Sequence, residues 1–178
     1  MTKTRLFAGL LVMAAAGVAH AGGQAASIGV GAEYQLSGIG GASVNYDAGS
    51  FHVGGFVGFA DPEGRNNTIL DVGGRFFYHV HSTAMSDFGV GGNLGIASYH
   101  DMVMGVDEKL TGVFVEPSVQ IRLFLASNVA LSATVGVVIG VADANGVALT
   151  GQSFGGELTV LGGNIGISSG AGIHYYFF

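Results

Sequence analysis

Apolar residues alternate with glycine or small polar residues through most of the chain after residue 27. In the first such run, Ile28, Val30 and Tyr34 are separated by Gly29 and Gly31. Strict alternation of this kind predicts a β-strand with one apolar face, because successive side chains point to opposite faces of a strand. Eight runs share the pattern, at residues 28–36, 42–48, 51–59, 70–80, 88–97, 113–123, 129–140 and 164–177. The chain is therefore predicted to be all-β.

The second face of these strands decides where the apolar face points. In a soluble β-sandwich or lipocalin-like barrel, the apolar face points inward and the other face carries charged residues toward water. Here the other face is mostly glycine, serine, alanine, asparagine and threonine, and only 10% of the chain is charged, against roughly 25% in soluble domains. Small residues suit the interior of a narrow barrel. These features predict a transmembrane antiparallel up-and-down β-barrel of eight strands, with its apolar face toward lipid.

The predicted connections alternate between long and short. Loops are expected at residues 37–40, 60–67, 100–110 and 142–163, and tight turns near 48–50, 81–87 and 125–128. Outer-membrane barrels combine long loops at the outer end with short periplasmic turns. The longest strands are expected to reach about 12–14 residues. Pro117 lies inside a predicted strand and has no N–H to donate, so a bulge or a local edge is expected there.

The N-terminus has the organisation of a secretory signal peptide. Lys3 and Arg5 precede an apolar stretch at residues 6–18, and Ala19-His20-Ala21 forms an A-x-A cleavage site. The apolar stretch is shorter than the ~20 residues that a transmembrane helix needs. We therefore expect a cleaved signal peptide at residues 1–21, export through the Sec pathway, and an outer-membrane barrel domain at residues 22–178.

The charge balance excludes several partners. Removal of Lys3 and Arg5 takes the net charge from −6 to −8, because all 12 acidic residues lie downstream. Only four cations remain: Arg65, Arg75, Lys109 and Arg122. This leaves no basic face for nucleic acid and no basic amphipathic helix for a membrane surface. The chain has no cysteine, so neither disulfides nor a lipid-modified N-terminal cysteine can form.

Charged residues on the face assigned to the lumen are the sharpest candidates for a site. They are Glu33, Asp71, Arg75, Glu116 and Arg122. Inside a narrow barrel these side chains are expected to pair across the lumen, since an unpaired buried charge costs several kcal/mol. One interpretation is a structural salt-bridge plug, and the other is a switchable gate for small ions.

The histidines are candidate catalytic or metal-binding groups. By strand parity His52, His79 and His174 face the lumen, but His174 and Ser168 are about 20 Å apart along one strand, and no nucleophile–base pair is evident. His79 and His81 offer too few ligands for a closed metal site. No calcium-loop spacing is present. We therefore expect no catalytic residues, no metal and no cofactor.

The chain ends in a glycine-containing segment followed by four aromatic residues, Tyr175-Tyr176-Phe177-Phe178. The pattern Gly170-x-Gly172-x-x-Tyr175-x-Phe177 resembles the strand-insertion signal of outer-membrane barrels, with Phe178 as an added residue or as part of a second register. Together with the eight alternating runs, it makes residues 27–178 resemble the small OmpA-like and OmpX-like eight-stranded barrels. The resemblance implies recognition by the barrel assembly machinery. In OmpA-like barrels it also implies an interior Arg/Glu cluster.

Three functions are compatible with these sequence features. The leading one is a monomeric outer-membrane barrel with a structural or surface-interaction role, which contacts membrane lipid and lipopolysaccharide and exposes the loops at 60–67, 100–110 and 142–163. The second is a narrow passive, porin-like channel. The third is a lipid-modifying enzyme of the outer membrane.

Overall fold

The fold is an eight-stranded β-barrel, seen in a computed structural model that describes residues 24–35, 40–60, 68–103, 106–143 and 165–178. The strands are β1 (Ser27–Gln35), β2 (Gly40–Asp47), β3 (Phe51–Ala60), β4 (Ile69–Ser82), β5 (Ser86–Val103), β6 (Val106–Ala126), β7 (Val129–Asp143) and β8 (Ile165–Phe177). Among these described residues there is no helix long and apolar enough to cross a membrane.

The barrel closes by pairing its last strand with its first. Each strand is antiparallel to the next in sequence order, and β8 pairs with β1 from Ile28↔Phe177 to Gln35↔Gly170. Closure leaves no open sheet edge, which is the condition for a β-structure to lie in hydrocarbon. The predicted all-β class, strand number and up-and-down order are confirmed.

The two faces of the strands carry the residues that parity predicts. On β6 the exposed outward residues are Val115, Val119, Ile121 and Leu123, and the buried inward residues are Phe114, Glu116, Ser118, Gln120 and Arg122. The other strands repeat this division, with isoleucine, valine, leucine, tyrosine and phenylalanine exposed on the outside. An exterior of this composition suits lipid and is unsuited to water.

At one end of the barrel, tight turns connect neighbouring strands. The first strand begins and the last strand ends at this same end. Turns at residues 48–50, 83–85 and 127–128 connect β2–β3, β4–β5 and β6–β7. Backbone hydrogen bonds tie them to their neighbours: Ala26 N to Asp47 O, His79 N to Ser50 O, Phe124 N to Met85 O, and Tyr176 N to Asn128 O. The turns expected near 48–50 and 125–128 are present. The turn expected at 81–87 is shorter, because β4 continues to Ser82 and β5 begins at Ser86.

At the other end, the prediction of a loop at residues 100–110 was wrong, because most of this segment is strand. β5 continues to Val103 and β6 begins at Val106, in register from His100↔Lys109 to Val103↔Val106. Among the described residues, β4 pairs with β5 as far as Tyr99, and β7 pairs with β6 from Gly112 onward. Within the described part of the chain, residues 100–103 and 106–111 therefore pair with each other alone and form a two-stranded ribbon. We call it the β5–β6 ribbon.

The ribbon makes β5 and β6 much longer than the expected 12–14 residues, at 18 and 21 residues. A tilted strand needs only about 9–11 residues to cross a bilayer. Ala60 and the segment 142–143, which were assigned to loops, are also strand residues. The remainder of the loops expected at 37–40, 60–67 and 142–163 lies outside the described residues, apart from Gly40, which begins β2.

The prediction of a bulge at Pro117 was also wrong. β6 keeps one register with β7 on both sides of Pro117, from Val115↔Ile139 to Ser118↔Gly136. The ladder is interrupted at residues 116–117 without a shift, because a missing N–H removes a hydrogen bond but adds no residue. Register shifts occur instead at Val113/Phe114 and Phe124/Ala126 on β6.

Two glycines of β1 make room for rings inside the narrow lumen. A Cβ at Gly29 would lie 2.7 Å from Cε1 of Tyr176, and a Cβ at Gly31 would lie 2.6 Å from Cδ2 of His174. Both rings belong to β8, so glycine on the first strand lets the last strand direct its aromatic side chains inward. The predicted signal peptide at residues 1–21, with cleavage near Ala21, lies outside the described residues.

Candidate functional site

The lumen is filled by two polar groups of side chains. The turn-end cluster consists of Asp47, His79, Asp87, Arg122 and Tyr176, at the end of the barrel that carries the tight turns. The mid-lumen cluster consists of Glu33, Ser43, Arg75 and His174. In both clusters the side chains come from strands that are distant in sequence and are brought together by closure of the barrel.

Arg122 is the centre of the turn-end cluster. Its Nη2 lies 2.7 Å from Oδ2 of Asp47 and 2.7 Å from Oδ2 of Asp87. Nη1 donates to the Tyr176 hydroxyl at 3.0 Å. Arg122 is only 3% exposed and Asp47 only 1%. A buried guanidinium between two carboxylates is the arrangement in which the three charges satisfy one another.

His79 and two aromatic rings complete this cluster. Nδ1 of His79 lies 2.7 Å from the Gly49 carbonyl oxygen, which only accepts hydrogen bonds. Nδ1 is therefore the donor, and the single lone pair of Nε2 faces both Arg122 Nη2 at 3.0 Å and His52 Nδ1 at 2.9 Å. The guanidinium also lies 5.4 Å from the centre of the Phe124 ring and 5.9 Å from that of Tyr176, within cation–π range.

The ligand atoms around Arg122 have the composition of a metal site. One atom each from Asp47, His79 and Asp87 lies within 4.8 Å of the others, and two carboxylates with one imidazole form a ligand set that Zn²⁺ accepts. Arg122 Nη2 contacts all three residues, so the guanidinium occupies the position that a metal ion would take. His81 is the other possible metal ligand next to His79 in the sequence. It is exposed, lies on the far side of a register shift and does not join the cluster.

In the mid-lumen cluster Arg75 holds Glu33 with both terminal nitrogens, in a bidentate ion pair. His174 Nε2 lies 3.3 Å from Oε1 of Glu33. Ser43 Oγ donates to the same oxygen at 3.0 Å and lies 2.6 Å from His174 Nε2. The Arg75 guanidinium packs over the Phe56 ring at 5.1 Å. Glu33 therefore has three partners drawn from three different strands.

Glu116 and Asp71 occupy separate positions. Glu116 accepts a hydrogen bond from Asn93 Nδ2 at 2.9 Å and another from Ser168 Oγ at 2.5 Å. Asp71 is fully buried in a recess that it shares with Glu33 and Phe56. All five predicted lumen charges thus face inward, but they do not form a single cluster.

Between the mid-lumen cluster and the barrel end opposite the tight turns, the lumen contains an apolar layer. Phe114, Ala97 and Val138 are buried together, and Phe56 of β3 packs against them. Phe114, Ala97 and Val138 come from the parts of β6, β5 and β7 that lead away from the tight turns. Buried side chains therefore occupy the described part of the lumen at three levels, two of them polar and one apolar.

Sequence reasoning missed the acidic partners of Arg122 and the partner of His174. Asp47 alternates with the outward Tyr46, so its inward direction was readable, but Asp87 was assigned to a turn. Ser43 and His174 are 131 residues apart, and only the register of β1 with both β2 and β8 brings them together. The inward direction of His52, His79 and His174, predicted from parity, is confirmed.

The residues of the predicted assembly signal lie on both faces of β8. Tyr175, Phe177 and Phe178 are exposed, and the rings of Tyr175 and Phe177 meet edge to face at 4.9 Å. Gly170 and Gly172 lie on the inward face, and Gly172 is paired with Glu33 of β1. This places the aromatic part of the signal on the outside of the barrel wall.

No protein-family model and no curated protein matches this sequence. Two solved structures are similar to it. The N-terminal β-barrel domain of OprF from Pseudomonas aeruginosa superposes with a TM-score of 0.61 at 11% identity, over 86% of this chain and 98% of that domain. Neisserial surface protein A superposes with a TM-score of 0.51 at 12% identity, over 85% and 94% of the two chains. The chain therefore has the fold of the small eight-stranded outer-membrane barrels.

Proposed function

We propose that the protein is a monomeric, integral outer-membrane barrel with a closed lumen, which acts by structural contacts and by presenting its outer end at the cell surface. Its partners are outer-membrane lipid, lipopolysaccharide and the barrel assembly machinery. It has neither a cofactor nor an enzymatic role, and it binds no nucleic acid. The observation that carries this proposal is that buried side chains occupy the lumen at three levels, in the turn-end cluster, the mid-lumen cluster and the apolar layer.

The β5–β6 ribbon supports a role at the surface. It extends the two longest strands past the residues that pair with β4 and β7, at the end of the barrel opposite the tight turns. A strand that only crossed the bilayer would not need these residues. One structural neighbour is described as a surface protein, and the same role suits a barrel whose outer end projects beyond the wall.

The geometry around Ser43 gives little support to the enzymatic alternative. A serine nucleophile needs an imidazole whose second nitrogen is oriented by an acid. Here Ser43 and Glu33 both approach Nε2 of His174, so the carboxylate competes with the serine instead of orienting the ring from the other side. Ser43 and His174 are also buried among strands of the barrel wall.

The second candidate function is the narrow channel, and one observation favours it. Arg75, Glu33 and Glu116 line the same cavity, so Arg75 has a second carboxylate within that space. An exchange of partner by Arg75 would rearrange the middle of the lumen. The turn-end cluster and the apolar layer would still lie across the path of an ion.

Conductance measurements separate the two candidates. We expect no stable current steps from the purified protein in planar bilayers, and none from Arg75→Ala, because the turn-end cluster and the apolar layer remain in place. Arg75→Lys serves as the matched control that keeps the positive charge. Discrete current steps in the wild type, or steps that appear in Arg75→Ala but not in Arg75→Lys, would support the channel and contradict the closed lumen.

A further inference from the structure

Glu116 is a buried carboxylate whose two hydrogen-bond donors are both neutral. It is 6% exposed, and its two hydrogen bonds come from an amide and a hydroxyl, those of Asn93 and Ser168. Among the described residues it forms no ion pair. The other lumen carboxylates with established partners share the two guanidiniums: Glu33 pairs with Arg75, and Asp47 and Asp87 pair with Arg122. An ionised carboxylate in this position needs a counter-charge.

Two oxygen atoms near Glu116 lack hydrogen-bond partners within the described part of the chain. One is Oδ1 of Asn93, whose amide nitrogen donates to Glu116. The other is Oγ of Ser118, the next inward residue of β6, which is 8% exposed. Buried polar atoms without a partner are uncommon and point to an unseen water or ion.

A cavity beside Glu116 has room for such an occupant. Its free volume is about 40 Å³, which exceeds what one water needs. The same cavity is also lined by Glu33 and Arg75 and by the polar side chains of Asn93, Ser132, Thr134 and Ser168. Except for Arg75, these side chains offer oxygen atoms, which are the ligands that hard cations prefer.

We propose that this cavity binds one monovalent alkali cation, Na⁺ or K⁺, with Glu116 as its charged ligand and the neighbouring hydroxyl and amide oxygens as its neutral ligands. Charge favours a monovalent ion. Arg75 is neutralised by Glu33, so Glu116 leaves a single negative charge on this side of the cavity. A divalent ion would leave an excess of positive charge in the cavity. Arg75, which lines the same cavity two strands away from Glu116, would repel that excess.

Thermal unfolding of the detergent-solubilised full protein tests the site. The protein is compared in choline chloride, NaCl and KCl at one ionic strength, so that general screening is constant. With the cation at about five times its Kd, we expect the wild-type midpoint to rise by about 2–4 °C over choline chloride. Glu116→Gln keeps the size of the side chain and one of its two hydrogen-bond acceptors but removes the charge. It should show the same midpoint in all three salts.

Two further measurements complete the test. Glu108→Gln removes an acidic residue of the β5–β6 ribbon and should keep the full cation effect, which separates the lumen site from surface acids. Crystals grown in RbCl should show an anomalous peak beside Glu116 that is absent from Glu116→Gln. An equal cation effect in wild type and Glu116→Gln, no effect in the wild type, or only water beside Glu116 would each overturn the proposal.

Discussion

Replacement of Arg122 by methionine is expected to lower the free energy of unfolding by about 3–5 kcal/mol, the usual cost of removing one partner from a buried ion pair. Asp47 and Asp87 would lose the guanidinium that lies 2.7 Å from each of them. Tyr176 would lose its hydrogen bond from Nη1. The measurement is the urea concentration at which the folded barrel loses its altered mobility on an unboiled gel, a readout that needs no tryptophan.

Controls for Arg122→Met come from the same lumen. Arg75→Met removes a second buried guanidinium, but Glu33 keeps Ser43 and His174 as partners, so a smaller loss is expected. Combining Arg122→Met with Asp47→Asn and Asp87→Asn should restore part of the stability. Zn²⁺ should do the same for Arg122→Met alone, because the three ligand atoms lie within 4.8 Å of one another. An Arg122→Met barrel as stable as the wild type would refute the structural importance of this cluster.

Deletion of Phe177 and Phe178 is expected to reduce the amount of assembled protein in the outer membrane by at least about tenfold, an effect equivalent to ~1.4 kcal/mol or more in an equilibrium. Phe177 begins the pairing of β8 with β1 opposite Ile28, and its exposed ring belongs to the predicted assembly signal. The deletion therefore removes both a closing contact and the aromatic end of that signal. The assay is the heat-modifiable band in isolated outer membranes, compared with total protein.

A matched control for this deletion is Phe59→Ala near the outer end of β3. Phe59 and Phe177 have nearly equal exposures of 57% and 56%, so both variants remove lipid-facing aromatic surface. Phe59→Ala should assemble at close to wild-type levels. Normal assembly of the truncated chain, or equal losses in both variants, would show that the C-terminal aromatics have no special part in insertion.

The alternation of residue types predicted the barrel and its two faces because parity is a local property of a strand. The direction of Arg75, Arg122 and His174 followed from it directly. Their partners did not, because pairing across the lumen depends on the register of every strand between them. Ser43 illustrates this: its contact with His174 requires β2, β1 and β8 to be aligned.

Loop boundaries were less predictable, because acidic residues occur in paired strands as well as in loops. Asp101, Asp107 and Glu108 suggested an acidic loop, but their backbones continue the ladder of the β5–β6 ribbon. A paired strand can carry acidic side chains without losing its backbone hydrogen bonds. Asp87 was misplaced for a similar reason, because the turn before it is only three residues long.

The orientation of the barrel in the outer membrane is tested most directly by cysteine labelling, which is simple here because the chain has no cysteine of its own. Single cysteines replace Asp107 in the β5–β6 ribbon and Thr83 in the turn at the opposite end. A membrane-impermeant maleimide should label Asp107→Cys on intact cells, and Thr83→Cys only after the outer membrane is permeabilised. Labelling of Thr83→Cys on intact cells, or protection of Asp107→Cys until permeabilisation, would contradict a membrane-spanning barrel that presents the ribbon at the surface.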